Sequence, residues 1–375
     1  MEEYEIFHHA ISDPAMVAEQ IKEKQRKIIG YLCSYAPEEL IYAAGFHPMR
    51  LFSSRAEIFH ADNHLQSYCC SLVRGVLEES LAGKFDFLYG AVFPHTCDSI
   101  QRLSDIWRLN TGYEFFADVV MPVKLNTKSS HDYMAMVLEK FKKDLEKAVG
   151  RDITDRDLND SILKFNKIRA YLKKLYDLRS DNPGIINGSD MHAIVKGSMI
   201  MDRDEVLELL AVITAKLETC DTAAVQSASS SPRIVITGSL CDSPDIYKII
   251  EQAGGVVVGD DLCTGQRWFD GQVPFVDDPI QALTLRYVQR IVCPAKHSSN
   301  NARGENIVKL AKEKRADGVI FMLLKFCDPH AFDYPCLKEF LDRAKIKNIL
   351  LEMDDQALGS GQLATRLETF IHMMG

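Results

Sequence analysis

Continuous apolar runs alternate with segments of helical spacing at both ends of the chain. In the first third, KIIGYL at 27–32 and FDFLYGAVF at 85–93 have the length and composition of buried strands, and helical patterns follow both. In the last third, PRIVITGSL at 232–240 and DGVIFMLLKF at 317–326 are followed in the same way. Because such alternation is typical of parallel sheets covered on both faces, the pattern predicts a parallel α/β fold at each end.

The middle of the chain has a different pattern. From about residue 130 to residue 219 it is helical and rich in charge, as in DYMAMVLEKFKKDLEKAV, and the Ser-rich linker AAVQSASSSPR follows. We therefore predict two Rossmann-like (flavodoxin-like) parallel-sheet domains with a helical middle segment. The predicted bounds are 1–128 for the N-terminal α/β domain, 129–231 for the helical connector and 232–375 for the C-terminal α/β domain.

Length and charge narrow the class of protein. The 375 residues suggest two domains of about 100–200 residues, and the net charge of −9 argues against a general nucleic-acid binder. No apolar run approaches the roughly 18–20 uncharged residues of a membrane span. The amino terminus, MEEYEIFHHAISD, lacks the pattern of a signal peptide. We expect a cytoplasmic protein with no nucleic-acid or membrane partner.

The chain contains ten cysteines without an export signal, which favours a metal or redox role over disulfides. The alternative is that they are small buried hydrophobic residues. Six of them fall where a strand run ends or a helical pattern begins: Cys33, Cys70, Cys97, Cys241, Cys263 and Cys327. In open parallel sheets ligands bind beyond the carboxyl ends of the strands, and helix N-termini favour thiolate. We predict that these six converge in one cleft between the domains.

The arrangement of these cysteines is loosely repeated in the two halves. Cys33 and Cys241 each precede a proline, and Cys97 and Cys327 each precede an aspartate directly after an apolar run. The spacings contain no C-x₂-C pair, so a zinc ribbon or a ferredoxin-type run is disfavoured. Dispersed thiolates suit an iron–sulfur cluster buried between domains.

The other cysteines are interpreted differently. Cys69 neighbours Cys70, and one of two adjacent side chains usually faces a given site. Cys336 falls within a helical pattern, and Cys220 is expected in the interior of an element. Cys293, in RIVCPAKH, follows an apparent strand and is a reserve ligand.

Two residues beside these cysteines are candidates for catalysis. His95 precedes Cys97 by two positions and could donate a proton near a substrate, or it could be a corner histidine with a structural partner. Asp98 could orient a ligand or move a proton, and helix capping is the alternative. Five cations lie near the same corners and could neutralise a reduced cluster or bind an anion: Arg74, Arg102, Arg267, Lys296 and Lys325. Surface salt bridging is the more common role of any one of them.

Several stretches carry a specific resemblance: IIGYLCSYAPEELIYAAGFHPMRL, CSLVRG, HTCDSIQRL, GGVVVGDDLCTGQRWFDG and LLKFCDPHAFDYP. They resemble the 2-hydroxyacyl-CoA dehydratase / benzoyl-CoA reductase family over nearly the whole chain, and the double-cubane cluster protein branch most closely. The resemblance implies a 4Fe–4S cluster on Cys70, Cys97 and Cys327. In the double-cubane branch it implies an 8Fe–9S cluster that also uses Cys33, Cys241 and Cys263, because two linked cubanes need about six thiolates.

The resemblance also implies a function and partners. The favoured hypothesis is a low-potential reductase that takes electrons from a separate ATP-hydrolysing iron–sulfur activator and reduces a small molecule. The first alternative is a subunit of a 2-hydroxyacyl-CoA dehydratase or benzoyl-CoA-type reductase, with one 4Fe–4S cluster and an acyl-CoA substrate. The second alternative is a non-catalytic electron-transfer protein. We expect a homodimer, or a heterodimer with a related subunit.

Overall fold

The computed structural model describes residues 2–53, 57–220, 230–240, 245–299, 301–353 and 361–374. The first part of the chain contains five helices and four strands: α1 (Glu2–Ser12), α2 (Pro14–Glu23), β1 (Ile28–Tyr31), α3 (Glu38–Ala43), β2 (His47–Arg50), α4 (Ser71–Leu81), β3 (Leu88–Pro94), α5 (Asp98–Asn110) and β4 (Phe115–Val119). The four strands form one parallel sheet in the order β2-β1-β3-β4.

The middle of the chain is helical, as predicted, and comprises α6 (Lys128–Val149), α7 (Asp155–Asp181), α8 (Gly188–Ser198) and α9 (Arg203–Glu218). Local sequence sets the helix ends. Thr127 and Thr154 form capping boxes at the starts of α6 and α7. Gly150 ends α6 with φ of 70°, a left-handed conformation that glycine adopts without steric cost.

The last part of the chain forms a second parallel sheet. Its described elements are β5 (Arg233–Gly238), α10 (Asp245–Gln252), β6 (Val256–Asp261), α11 (Gln266–Phe269), α12 (Pro279–Gln289), α13 (Ala302–Glu313), β7 (Gly318–Leu324), α14 (Asp328–Arg343), β8 (Lys347–Met353) and α15 (Gly361–His372). The strand order β6-β5-β7-β8 repeats the order of the first sheet. The predicted fold class is confirmed. The shared strand order is the flavodoxin-like one, in which the direction of strand addition reverses after the second strand of each sheet.

The second sheet is covered on both faces. Ile234 and Ile236 of β5 point into the core beneath α10 and α15, whereas Val235 points into the core beneath α13 and α14. Alternate residues of a strand face opposite sides, so β5 must be apolar at every position. This is the physical reason for the uninterrupted apolar run at 232–240.

The remaining core joins parts of the chain that are distant in sequence. The first sheet, the middle helices and the segment from Trp268 to Cys293 share one set of buried side chains. Helix α12 packs on α6, and the Tyr287 hydroxyl donates a hydrogen bond to the Ala36 carbonyl oxygen at 2.9 Å. Residues 268–293 therefore pack with the first sheet, although the predicted C-terminal domain includes them. The predicted domain bounds stay a prediction.

Within the described ranges, no helix combines the length and the apolar character that crossing a membrane requires.

Candidate metal centre

Three cysteines occupy the residue that caps the amino end of a helix. Cys70 precedes α4, Cys97 precedes α5 and Cys327 precedes α14. These helices are 11, 13 and 16 residues long. Their first N–H groups and the positive ends of their dipoles lie at the thiols, so each position favours negative charge on sulfur.

The three capping cysteines act on one another electrostatically. Burial raises the pKa of Cys97 to about 12, and the thiols of Cys70 and Cys33 add to the rise against the backbone N–H groups of Ile100 and Ser99. Burial likewise raises the pKa of Cys327, with contributions from Cys70, Cys97 and Cys263. Because such effects require short separations, thiols from both sheets lie in one region.

Cys33 and Cys263 each lie just beyond the carboxyl end of a strand, in different sheets. Cys33 follows β1, and its Sγ accepts a hydrogen bond from the Thr96 hydroxyl at 3.5 Å. Cys263 follows β6, its N–H donates to the Ser239 carbonyl oxygen at 3.1 Å, and its own carbonyl accepts from Nη1 of Arg50 at 2.7 Å. Five of the six predicted cysteines therefore lie at these sheet edges. Cys241 lies outside the described residues.

Cys293 is buried in the same region. Burial raises the pKa of Cys293 to about 11, and the thiols of Cys263 and Cys33 add to the rise, whereas Arg267 opposes it. The prediction that Cys293 ends a strand is wrong, because residues 290–293 form an irregular segment after α12. Cys293 itself belongs to the core shared with the first sheet.

Two buried cations lie near these thiols. Arg290 and Lys296 are each 3% exposed, and both pack on the ring of Tyr35, at 4.3 and 5.4 Å from its centre. Burial lowers the pKa of Lys296, and Cys33 and Cys293 act against this effect. Among the described residues neither cation forms an ion pair with a carboxylate. The part of the site around Tyr35 therefore carries positive charge.

This donor set fits an iron–sulfur cluster. Buried thiols with raised pKa values repel one another when ionised, so they bind together as thiolates when iron supplies the compensating charge. The described residues contain no group of three or more His, Cys, Asp or Glu side chains arranged around a single metal ion. Ligands of a cubane bind different irons and stand further apart than the ligands of one ion, which agrees with the dispersed thiols.

The two candidate catalytic residues have different surroundings. Nε2 of His95 lies 2.9 Å from Oδ1 of Asp118, a carboxylate that also accepts hydrogen bonds from Ser104 and Arg108. Asp98 is exposed and is the first residue of α5, where its charge complements the helix dipole. Their catalytic roles stay predictions.

The cations predicted near the corners differ in environment. Arg267 is 1% exposed and pairs with Asp261, which also pairs with Arg303, at 3.1 Å each. Arg267 and Lys296 are thus buried rather than engaged in surface salt bridges.

Cys336 is exposed within α14, in agreement with its helical pattern. Cys220 is exposed just beyond the end of α9, so the expectation of a core position is wrong because the helix ends before it.

Sequence reasoning missed Arg290, Tyr35 and Arg50. Tyr35 is two residues from Cys33, and Arg290 is three residues from Cys293, so closeness to a candidate ligand was a usable signal for both. Arg50 ends β2 and gave no such signal. Its contact with the Cys263 carbonyl exists only because the second sheet packs beside the first.

The fold and the site define a two-domain α/β protein with cysteine thiols gathered at the carboxyl ends of its strands. A family model described as 2-hydroxyglutaryl-CoA dehydratase, D-component, matches residues 33–374. The chain belongs to this family, which confirms the resemblance found in the sequence.

The relatives span nearly the whole chain. The (R)-phenyllactyl-CoA dehydratase beta subunit of Clostridium sporogenes is 28% identical over 354 residues, covering 94% of this chain and 93% of the relative. A benzoyl-CoA reductase subunit of Thauera aromatica is 29% identical, covering 92% and 90%. The (R)-2-hydroxyglutaryl-CoA dehydratase beta subunit of Acidaminococcus fermentans is 26% identical, covering 98% and 97%. The family is therefore one of dehydratases and reductases.

Proposed function

We propose that this chain is an iron–sulfur reductase component with a double-cubane 8Fe–9S cluster between its two sheets. It receives electrons from a separate ATP-hydrolysing iron–sulfur activator and reduces a small molecule. The observation that carries the proposal is that Cys33 and Cys263 lie close enough to the helix-capping cysteines to help raise the pKa of Cys97 and of Cys327 respectively. A single 4Fe–4S cluster on Cys70, Cys97 and Cys327 leaves the thiols of Cys33 and Cys263 without a role.

The residues around the thiols suit such a cluster. When bound, it supplies electrons one at a time at low potential. The helix N-termini at Cys70, Cys97 and Cys327 and the buried cations Arg290 and Lys296 stabilise its negative charge. The shared core beneath Cys33 excludes water from one side of it.

One feature of the sequence supports a separate activator. The stretch GVLEESLAGK lacks the spacing of a phosphate-binding loop, and its first residues belong to helix α4. The proposal therefore assigns ATP hydrolysis to a separate partner. We propose that the protein is a homodimer in which each chain supplies the cysteines of its own cluster.

The alternative function is that of a 2-hydroxyacyl-CoA dehydratase or benzoyl-CoA-type reductase subunit. It is supported by the names of the relatives and by the three helix-capping cysteines. This chain would then hold one 4Fe–4S cluster, bind an acyl-CoA substrate and form a heterodimer with a related subunit. A non-catalytic electron-transfer protein is the second alternative.

Anaerobic iron and sulfide analysis distinguishes these functions. We expect about eight irons per chain, falling in Cys33→Ala and Cys263→Ala as well as in Cys97→Ala. The exposed Cys336→Ala is the matched control and keeps its iron. About four irons, unchanged in Cys33→Ala and Cys263→Ala, would establish the single-cluster alternative. Oxidation of the activator-reduced protein by a small molecule or an acyl-CoA then separates a reductase from an electron carrier.

A further inference from the structure

A cavity of about 320 Å³ lies at the end of β2, beside the turn between α1 and α2 and the last turn of α8. Its size is at the lower end of the roughly 300–1,000 Å³ that is typical of small-molecule sites. Most of its lining is apolar and includes three aromatic rings, those of Phe52, Phe85 and Phe87. The cavity therefore suits a small ligand with an apolar body.

A buried arginine forms part of the cavity wall. Arg50, the last residue of β2, is 2% exposed. Its Nη1 donates to the Cys263 carbonyl oxygen at 2.7 Å and to Sδ of Met199 at 3.2 Å, and neither acceptor carries a charge. Its Nε has no hydrogen-bond partner, and no carboxylate in the described part of the chain forms an ion pair with Arg50. Because an uncompensated buried charge is costly, this wall favours an anion in the cavity.

A second cation lies at the same aromatic ring. The centre of the Phe52 ring is 4.5 Å from Nζ of Lys196 and 5.3 Å from the guanidinium carbon of Arg50. Lys196 is 8% exposed and also lines the cavity. Glu79 is the buried carboxylate among the described lining residues. The interior is thus cationic around Phe52, which favours an anionic ligand group at that end.

We propose that this cavity binds a small monocarboxylic acid with an aryl or alkyl body. Arg50 binds the carboxylate, and the rings of Phe52, Phe85 and Phe87 pack against the apolar body. A CoA thioester of the same acid lacks the carboxylate and does not bind through Arg50. The proposal goes beyond the proposed function and does not depend on it, because no described cysteine lines the cavity.

Isothermal titration calorimetry of the full chain, purified anaerobically, tests this site. The probes are hexanoate, cyclohexanecarboxylate and phenylacetate, each compared with its primary amide, which has the same shape without the charge. We expect at least one acid to bind to a single site per chain, and its amide to bind about tenfold more weakly. Arg50→Gln should weaken the binding of that acid by about tenfold or more.

A second variant covers the case in which Arg50→Gln does not fold. Ala15 is exposed on α2 and lines the cavity, so the indole of Ala15→Trp should block the opening while Arg50 stays in place. We expect this variant to lose the binding of the acid. Ala215→Trp, on the exposed face of α9, is the matched control and should bind the acid as the unmodified chain does. Circular dichroism verifies the fold of each variant.

Three results would overturn the proposal: no binding of any of the three acids, equal binding of acid and amide, or undiminished binding in Ala15→Trp. Binding of the CoA thioester with the affinity of its free acid would also overturn it, because the carboxylate would then have no role. An unmodified chain without iron that still binds the acid would refute the proposed function and leave this site standing.

Discussion

The guanidinium group of Arg290 binds both the carbonyl oxygen and the hydroxyl of Ser34, a residue 256 positions earlier in the chain. Arg290 lies three residues before Cys293, and Ser34 directly follows Cys33. Their contact therefore joins the segment after α12 to the segment after β1. It fixes one side of the proposed cluster site and ties the last third of the chain to the first sheet.

Replacing Arg290 with methionine should destabilise the protein. The variant loses both hydrogen bonds to Ser34 and leaves a buried carbonyl oxygen without that donor, at a cost of about 3 kcal/mol in the free energy of unfolding. Urea denaturation of protein prepared without iron measures this change. Arg102→Met is the control, since Arg102 is exposed on α5, and it should unfold at the same urea concentration as the unmodified chain. Equal stability of the two variants would contradict the role of the Ser34 contact.

Asp261→Asn should be more costly. Asp261 is 1% exposed, pairs with Arg267 and Arg303, and accepts a hydrogen bond from the Thr237 hydroxyl at 3.0 Å. The amide leaves two buried guanidinium groups without their shared counter-charge, so we expect a loss of about 3–5 kcal/mol in urea denaturation. Asp105→Asn, at an exposed pair with Arg102, should match the unmodified protein. A loss no larger than that of the control would show that the buried arginines do not depend on Asp261.

His47 should make stability depend on pH. Burial and Arg203 lower the pKa of His47 from 6.5 to about 3, although its hydrogen bond to the Ile200 carbonyl and nearby Asp202 oppose this. Below about pH 6.5 the unfolded chain binds a proton at this residue and the folded chain does not, so acid favours unfolding. Between pH 7 and pH 5 this one group should lower the free energy of unfolding by about 2 kcal/mol.

The measurement compares the unmodified chain with His47→Gln across that range of pH. Other groups titrate in both proteins, so the difference between the two curves isolates His47. The difference should shrink by about 2 kcal/mol from pH 7 to pH 5. Parallel curves would mean that His47 is protonated equally in the folded and unfolded chains.

Lys296→Gln tests the role of the buried positive charge beside Tyr35. The prediction depends on the proposed cluster. Removing a buried positive charge near the cluster makes reduction harder, so the midpoint potential should fall by about 50–100 mV. A potentiometric titration followed by EPR measures this shift. Lys140→Gln, on the exposed face of α6, should leave the potential unchanged. A shift of the same size in both variants would argue against a specific role for Lys296.

The sequence predicted the elements well because each depends on neighbouring residues. The run at 232–240 is apolar throughout because β5 is covered on both faces, and capping boxes at Thr127 and Thr154 begin the long helices of the middle segment. The corner positions of Cys70, Cys97 and Cys327 follow from the same local rules, since each lies where a helix begins. The segment before Cys293 is irregular although its sequence resembles a strand, because a short apolar run alone does not distinguish a strand from a loop.

By itself, the sequence determined the two α/β units, the helical middle and the cysteines at their corners, all of which are set by local periodicity and helix capping. Only the tertiary structure decided which corners meet. It brought Cys293 into the region of Cys33, buried Arg290 and Lys296 against the ring of Tyr35, and paired His95 with Asp118. These contacts join residues from distant parts of the chain, and they form because α12 and the segment after it share a core with the first sheet. No local pattern encodes that packing, since it depends on the shapes of surfaces that exist only after both sheets have formed.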